Sequence, residues 1–205
     1  MAYNLEEQEQ IASLRAFWDK YGNFILTVVT VVLLAIAGWR GWGWYQARQA
    51  GQAAALYEQV RTAVEAKDTA RMKEASGALF ENFGGTVYGP MAALLVAKTH
   101  HEAGDLKAAK APLQWTIDKA RDAEFQHLAR VRLAGVLLDE KAYDEGLKLL
   151  SMESAGTFAG AYADRRGDLL LAQGKNDEAR AAYKLALEKL DERSALRRLV
   201  QVKVD

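Results

Sequence analysis

The chain has 205 residues, with 27 Lys+Arg against 27 Asp+Glu, and no Cys. Zero net charge argues against nucleic acid as a partner, because phosphate binding needs a basic surface. Without Cys there are no disulfides, thiolate metal sites or Cys nucleophiles.

Ala fills 37 positions and Pro only 2. Ala is the best helix former and Pro the worst, so an all-α chain is expected. Four of the five Trp (Trp18, Trp39, Trp42, Trp44) fall within residues 18–44, which sets the N-terminal segment apart from the rest.

Residues 1–20 read as a short amphipathic arm. Asn4 is a fitting N-cap, with Glu7 three residues later to complete a capping box. Ile11, Leu14, Trp18 and Tyr21 follow at three- and four-residue spacing and form one apolar stripe. Such a helix lies on a membrane surface.

Residues 21–45 read as a transmembrane helix with aromatic flanks. Tyr21 to Trp39 is a run of 19 residues without charge. At about 1.5 Å per residue the run spans roughly 30 Å, the hydrocarbon thickness of a bilayer. Trp18 and Tyr21 mark one membrane interface, and Trp39, Trp42, Trp44 and Tyr45 the other, where amphipathic rings sit at headgroup level. Arg40 snorkels outward along its own stem. A signal peptide cleaved after Ala37 competes with this reading, since Ala35-Ile36-Ala37 fits a small-x-small site. Against it, residues 1–20 carry Glu6, Glu7, Glu9 and Asp19 but only Arg15 and Lys20, where a signal peptide is basic. Positive charge is too evenly placed about the run to orient it.

Residues 46–205 read as one amphipathic helix after another, broken near Lys67, Gly84-Gly85, Gly104, Lys141, Gly156 and Gly174. Aligned on these breaks, small residues recur twelve apart across a turn: Ala97 and Ala109, Ala134 and Gly146, Gly167 and Ala179. Each first small residue lets the two helices of a hairpin approach closely. Repeat follows repeat at 37 and then 33 residues. Helix hairpins of this length resemble tetratricopeptide (TPR) repeats, so the expected fold is a TPR-like α-solenoid. Residues 52–83 form a more divergent pair, and Ala195–Asp205 caps the stack. Pro112 sits inside an expected second helix and is predicted to kink it or delay its start.

The residues offer little for catalysis. No His-x3-His pair, Gly-rich phosphate loop or Gly-x-Ser-x-Gly motif occurs, so no catalytic residue, cofactor or metal is expected. His100 falls at a packing position. His127 opens a helix and is expected to be exposed. His101 and Lys98 fall on the groove side of a first helix and are candidate peptide contacts, as are Asp164 and Asp168, four apart on one helix face.

Arm, apolar helix and degenerate array together resemble the YfgM family, ancillary subunits of the bacterial SecYEG translocon. The stretches that carry the resemblance run from end to end. They are Glu9-Gln10-Ile11 through Phe17-Trp18, Lys20-Tyr21-Gly22-Asn23 and Gly38-Trp39-Arg40, then Thr86-Val87-Tyr88-Gly89, Leu128 through Ala134, Asp164-Arg165-Arg166-Gly167-Asp168 and Gly174-Lys175. The resemblance implies a single-pass inner-membrane protein with its arm in the cytoplasm and residues 46–205 in the periplasm. It also implies the SecYEG translocon, a PpiD-like membrane-anchored chaperone, unfolded client polypeptides and membrane lipid as partners. The implied role is a non-enzymatic hand-off of emerging polypeptides, with a cytoplasmic stress-response link through the arm. A tethered TPR scaffold facing the cytoplasm, and a secreted TPR protein cleaved after Ala37, stand as alternatives.

Overall fold

A computed structural model describes residues 5–204, so Asn4 and its proposed cap lie outside the described residues. The chain divides into two units, Met1–Arg48 and Gln49–Asp205. The first helix, α1 (Leu5–Glu65), supplies the described part of the first unit and opens the second. Arm and apolar run, read above as successive elements, are one helix because no Pro or capping residue interrupts them. Glycines at 22, 38, 41, 43 and 51 weaken the helix by about 1 kcal/mol each relative to Ala but do not stop it.

Within the first unit the apolar run has no protein cover. Leu33 is 61% and Leu34 67% exposed. An 18-residue window here reaches a mean hydropathy of 2.1, and among the described residues this is the one helix long and apolar enough to cross a membrane. The aromatic flanks are exposed too, and several rings associate along the helix. Phe17 and Tyr21 lie 5.1 Å apart with Lys20 Nζ 5.2 Å above the Tyr21 ring. At the other end Trp42 meets Tyr45 at 6.0 Å, and the Arg48 guanidinium lies 5.5 Å over Trp44.

The second unit is a row of helix hairpins. The end of α1 pairs with α2 (Thr69–Phe83), α3 (Tyr88–Glu102) with α4 (Leu106–Lys119), α5 (Ala123–Asp139) with α6 (Tyr143–Leu149), and α7 (Ala159–Ala172) with α8 (Asn176–Lys189). A final helix, α9 (Ala195–Val204), packs on α8. This is the TPR-like solenoid the spacing implies. Its core is a chain of small clusters, each shared between neighbours. Val60, Met72 and Leu79 meet Ala92 and Val96. Ala97, Ala109 and Leu113 meet Leu133 and Leu137. Ala134 and Leu150 meet Tyr162 and Leu169. Ala163, Ala179 and Tyr183 meet Val200. Stability in such a stack is a sum of units and nearest-neighbour contacts.

Four hairpin turns close in one way. Lys67, Gly104, Lys141 and Gly174 take φ of 55°, 78°, 62° and 78°. The next amide then donates back into the last helical turn: Asp68 to Ala63, Asp105 to His100, Ala142 to Leu137 and Lys175 to Leu170, at 2.8–2.9 Å. This is the Schellman closure, which satisfies carbonyls that a helix end leaves free. Left-handed φ suits Gly104 and Gly174; the two lysines adopt it against a Cβ clash. Asp68 and Asp105 also cap the following helix, accepting from Arg71 N at 3.0 Å and Ala108 N at 2.9 Å. Ala142 and Lys175, at the same place, make no side-chain cap. Lys175→Asp therefore adds a missing cap and is expected to stabilise the array by about 1 kcal/mol. A melting temperature at or below that of the parent chain would sink this expectation.

Pro112 does not delay the start of its helix. Helix α4 starts at Leu106 and runs through Pro112 to Lys119 without a break. Proline inside a helix costs about 3 kcal/mol or more. Burial of Pro112, Leu113 and Thr116 against the neighbouring hairpins offsets that cost, and Thr116 Oγ1 donates to the Pro112 carbonyl at 2.9 Å. Helix α6 is the short one, only seven residues, followed by 3-10 turns at Met152–Ser154 and Gly156–Phe158. Arg166 Nη1 holds its end by donating to the Leu147 and Leu150 carbonyls at 2.9 and 3.2 Å.

Candidate functional site: a groove across three first helices

Helices α3, α5 and α7 are the first members of successive hairpins. A groove of about 230 Å³ runs across them. Ala97, Leu113, Gly135 and Val136 give it an apolar floor, and charged side chains rim it. Lys98 and His101 from α3 both line it. His101 Nε2 donates to Asp139 Oδ2 at 2.6 Å and so ties α3 to α5. Lys98 Nζ lies 3.6 Å from Glu102 one turn on, with both side chains over 60% exposed. Such surface pairs contribute under about 1 kcal/mol.

Two further cations complete the rim. Arg132 on α5 donates from Nη1 to the Leu94 carbonyl at 3.2 Å, and burial pushes its guanidinium below its ordinary pKa. It stays charged at any physiological pH. Arg165 on α7 pairs with Asp168 at 3.2 Å through Nη1, while its buried Nε has no hydrogen-bond partner among the described residues. Neither arginine is among the candidates that the sequence offers. A signal for them exists all the same: Arg132 and Arg165 each stand two residues before a small repeat residue, Ala134 and Gly167, 33 apart.

Asp164 and Asp168 are placed differently. They lie beside this groove but outside its lining, and both carboxylates accept from Lys203 of α9, at 2.6 and 2.8 Å. Asp168 also accepts from the Tyr183 hydroxyl at 2.9 Å. Burial pushes Asp164 above the usual carboxylate range, with the Lys203 ammonium pulling the other way. Burial and the two carboxylates together push the Tyr183 phenol well up. The acid pair is thus an internal clasp between α7 and the capping helix.

The small repeat residues are all buried, but they do not share one neighbour. Ala97 and Ala109 belong to one cluster. Gly167 faces Tyr183 across its own hairpin, where an added Cβ would lie 2.4 Å from the ring. Gly146 instead faces Leu169 of the next hairpin, whose methyls would lie 2.9 and 3.0 Å from such a Cβ. Ala134 packs in the cluster of Leu150 and Tyr162, and Ala179 in that of Tyr183.

His127 is half-buried, not exposed, because α7 and the turn before it cover the start of α5. Its Nδ1 is 2.8 Å from the Tyr162 hydroxyl and its ring stacks on Phe158 at 5.3 Å. Burial, with Arg130 nearby, pushes its pKa down. Glu124 and His127 have Glu-x-x-His spacing, yet the imidazole is engaged in this packing. No group of three His, Cys, Asp or Glu that could hold a metal occurs among the described residues.

The chain resembles known proteins along its whole length. The family model described as a tetratricopeptide repeat-like domain matches residues 15–205. A protein of Neisseria gonorrhoeae named ancillary SecYEG translocon subunit is 32% identical over 100% of this chain and 99% of its own. A protein of the same name from Escherichia coli is 29% identical over 97% of this chain and 95% of its own. The Haemophilus influenzae protein is 27% identical over 91% of each. No solved structure matches the chain.

Proposed function

Because the chain belongs to the YfgM family of ancillary SecYEG translocon subunits, we propose that it is a membrane-anchored adaptor of that channel. The family is not enzymatic, and the role is one of binding. The helix around residues 21–45 holds the protein in the bacterial inner membrane, with the arm in the cytoplasm and the array in the periplasm. The array takes hold of segments of newly translocated polypeptide and passes them to a PpiD-like membrane-anchored chaperone. The arm carries a cytoplasmic link to stress-response regulation. The observation that carries this reading is the joining, in one chain, of a single uncovered apolar helix to a stack of helix hairpins with an open groove. Tethering raises the local concentration of shallow binding sites, so weak contacts suffice.

Site-specific photocrosslinking in cells tests it. A probe at Leu33 is expected to capture translocon subunits, and a probe at Lys98 secretory chains and a membrane-anchored chaperone. A C-terminal reporter that reads cytoplasm would overturn the topology and favour a cytoplasmic scaffold. A mature mass lacking residues 1–37 would overturn the anchor and favour a secreted protein.

A further inference from the structure

We propose that the groove across α3, α5 and α7 selects extended peptide segments bearing acidic side chains about three residues apart. This rests on the reading of the array as a polypeptide-binding surface and names the class of segment it prefers. Residues 51–205 carry no net charge, with 23 basic and 23 acidic side chains, so a neutral groove is the default. The lining departs from that default. Lys98, Arg132 and Arg165 line it with one carboxylate, Asp139, which His101 already engages; Glu102 and Asp168, at its margin, pair weakly with Lys98 and with Arg165 Nη1 and leave Arg132 to itself. Arg132 is the central cation: it donates to a backbone carbonyl, and among the described residues no carboxylate forms an ion pair with it. Arg165 holds a buried Nε–H without a partner among the described residues. An acidic side chain entering here meets donors in a partly desolvated setting, where charge-assisted hydrogen bonds are strongest.

Spacing follows from the scaffold. The three cations sit on three successive first helices. Packed helix axes lie about 8–10 Å apart, and an extended chain advances about 3.3 Å per residue. One helix-to-helix step therefore matches about three residues of ligand. A segment of the form Glu-x-x-Glu, crossing the helices, places its carboxylates near Lys98 and Arg132, or near Arg132 and Arg165. The floor of Ala97, Leu113 and Val136 takes a small apolar side chain between them.

The full chain in detergent micelles, titrated against fluorescent ten-residue peptides with blocked termini, tests this by anisotropy. A Glu-x-x-Glu peptide is expected to bind at least about tenfold more tightly than its Gln-x-x-Gln counterpart, the ratio expected when charge-assisted bonds replace neutral ones. Its affinity should fall steeply with added salt. Arg132→Glu is expected to abolish that preference and to favour a Lys-x-x-Lys peptide. Lys98→Glu, at an exposed site that leaves packing untouched, should move affinity in the same direction and so separates a lost charge from a damaged fold. Equal binding of Gln-x-x-Gln and Glu-x-x-Glu peptides, still blocked by Gly135→Leu in the groove, would overturn the acidic preference and leave the polypeptide-binding reading standing. No binding of any peptide would overturn both. Displacement by millimolar inorganic phosphate would make the groove a general anion site and overturn the peptide assignment.

Discussion

Gly167→Ala is expected to lower the stability of the array by about 2–3 kcal/mol, although Ala is the better helix former by about 1 kcal/mol. The new methyl would lie 2.4 Å from Tyr183 Cε1 and 2.6 Å from Cδ1, closer than carbon atoms approach. Tyr183 cannot swing aside cheaply. It is 2% exposed, its hydroxyl donates to Asp168 at 2.9 Å, and Lys203 Nζ lies 5.3 Å over its ring. Relief requires the two helices of the hairpin to part, and α9 to follow. For a unit of this size the loss corresponds to roughly 5–10 °C in melting temperature. Gly146→Ala is the comparison. There the methyl meets only the terminal methyls of Leu169, at 2.9 and 3.0 Å; that side chain is buried too but is held by no hydrogen bond, so a small rotamer shift leaves the net cost at about 1 kcal/mol. If Gly167→Ala melts as high as Gly146→Ala, the close approach of α7 to Tyr183 is wrong.

Lys203→Ala is the second large effect, expected to cost about 2 kcal/mol at neutral pH. Removing one partner of a fully buried ion pair costs about 3–5 kcal/mol, because the other charge is left without compensation. Here the Asp164 side chain is 7% exposed but Lys203 is 32% exposed, so solvent screens part of the loss. The pH dependence has a definite sign. Burial raises Asp164 above its reference value of 3.8, and Lys203 opposes that rise. A carboxyl raised in the fold favours folding below 3.8 and loses that contribution as pH climbs through the folded value. Without Lys203 the folded value climbs further, so the variant suffers most at neutral pH and recovers as pH falls toward 3.8. Thermal melts of variant and parent at pH 7 and near pH 4 check it. A deficit equal at both values, or larger in acid, would refute the clasp, as would failure of Asp164→Asn to restore the Lys203→Ala variant.

Much of this architecture is legible from residue order. The breaks at Lys67, Gly104, Lys141 and Gly174 are local events, decided by a few residues each, and all four are left-handed turns. The spacing of Ala97, Ala134 and Gly167 marks α3, α5 and α7 because close packing needs small residues wherever first helices meet their neighbours. Lys98 and His101 share the groove for the same reason: their register along α3 gives their side of the helix. What stays hidden depends on contacts that do not repeat. Lys203 reaches Asp164 from 39 positions away, on a cap that has no counterpart in the other units. His127 is covered by Phe158 and Tyr162, supplied by an irregular turn and the helix after it. Pro112 reads locally as a breaker, and only burial against neighbouring hairpins overrides that local preference. The span around residues 21–45 is legible for the opposite reason: its apolar length is a property of the run itself, so nothing need pack on it to be read.

The four Schellman closures bear on how the protein assembles. Each hairpin shuts on its own last turn, through bonds spanning only five residues, before any neighbour is required. Chains rich in such local closures fold quickly. Stacks of this kind can nucleate at any unit and grow outward. The array can thus form hairpin by hairpin, each new hairpin covering the apolar face left open by the one before it. Docking of α9 is a step of another kind: Lys203 reaches back past the α7–α8 hairpin to close on Asp164 and Asp168.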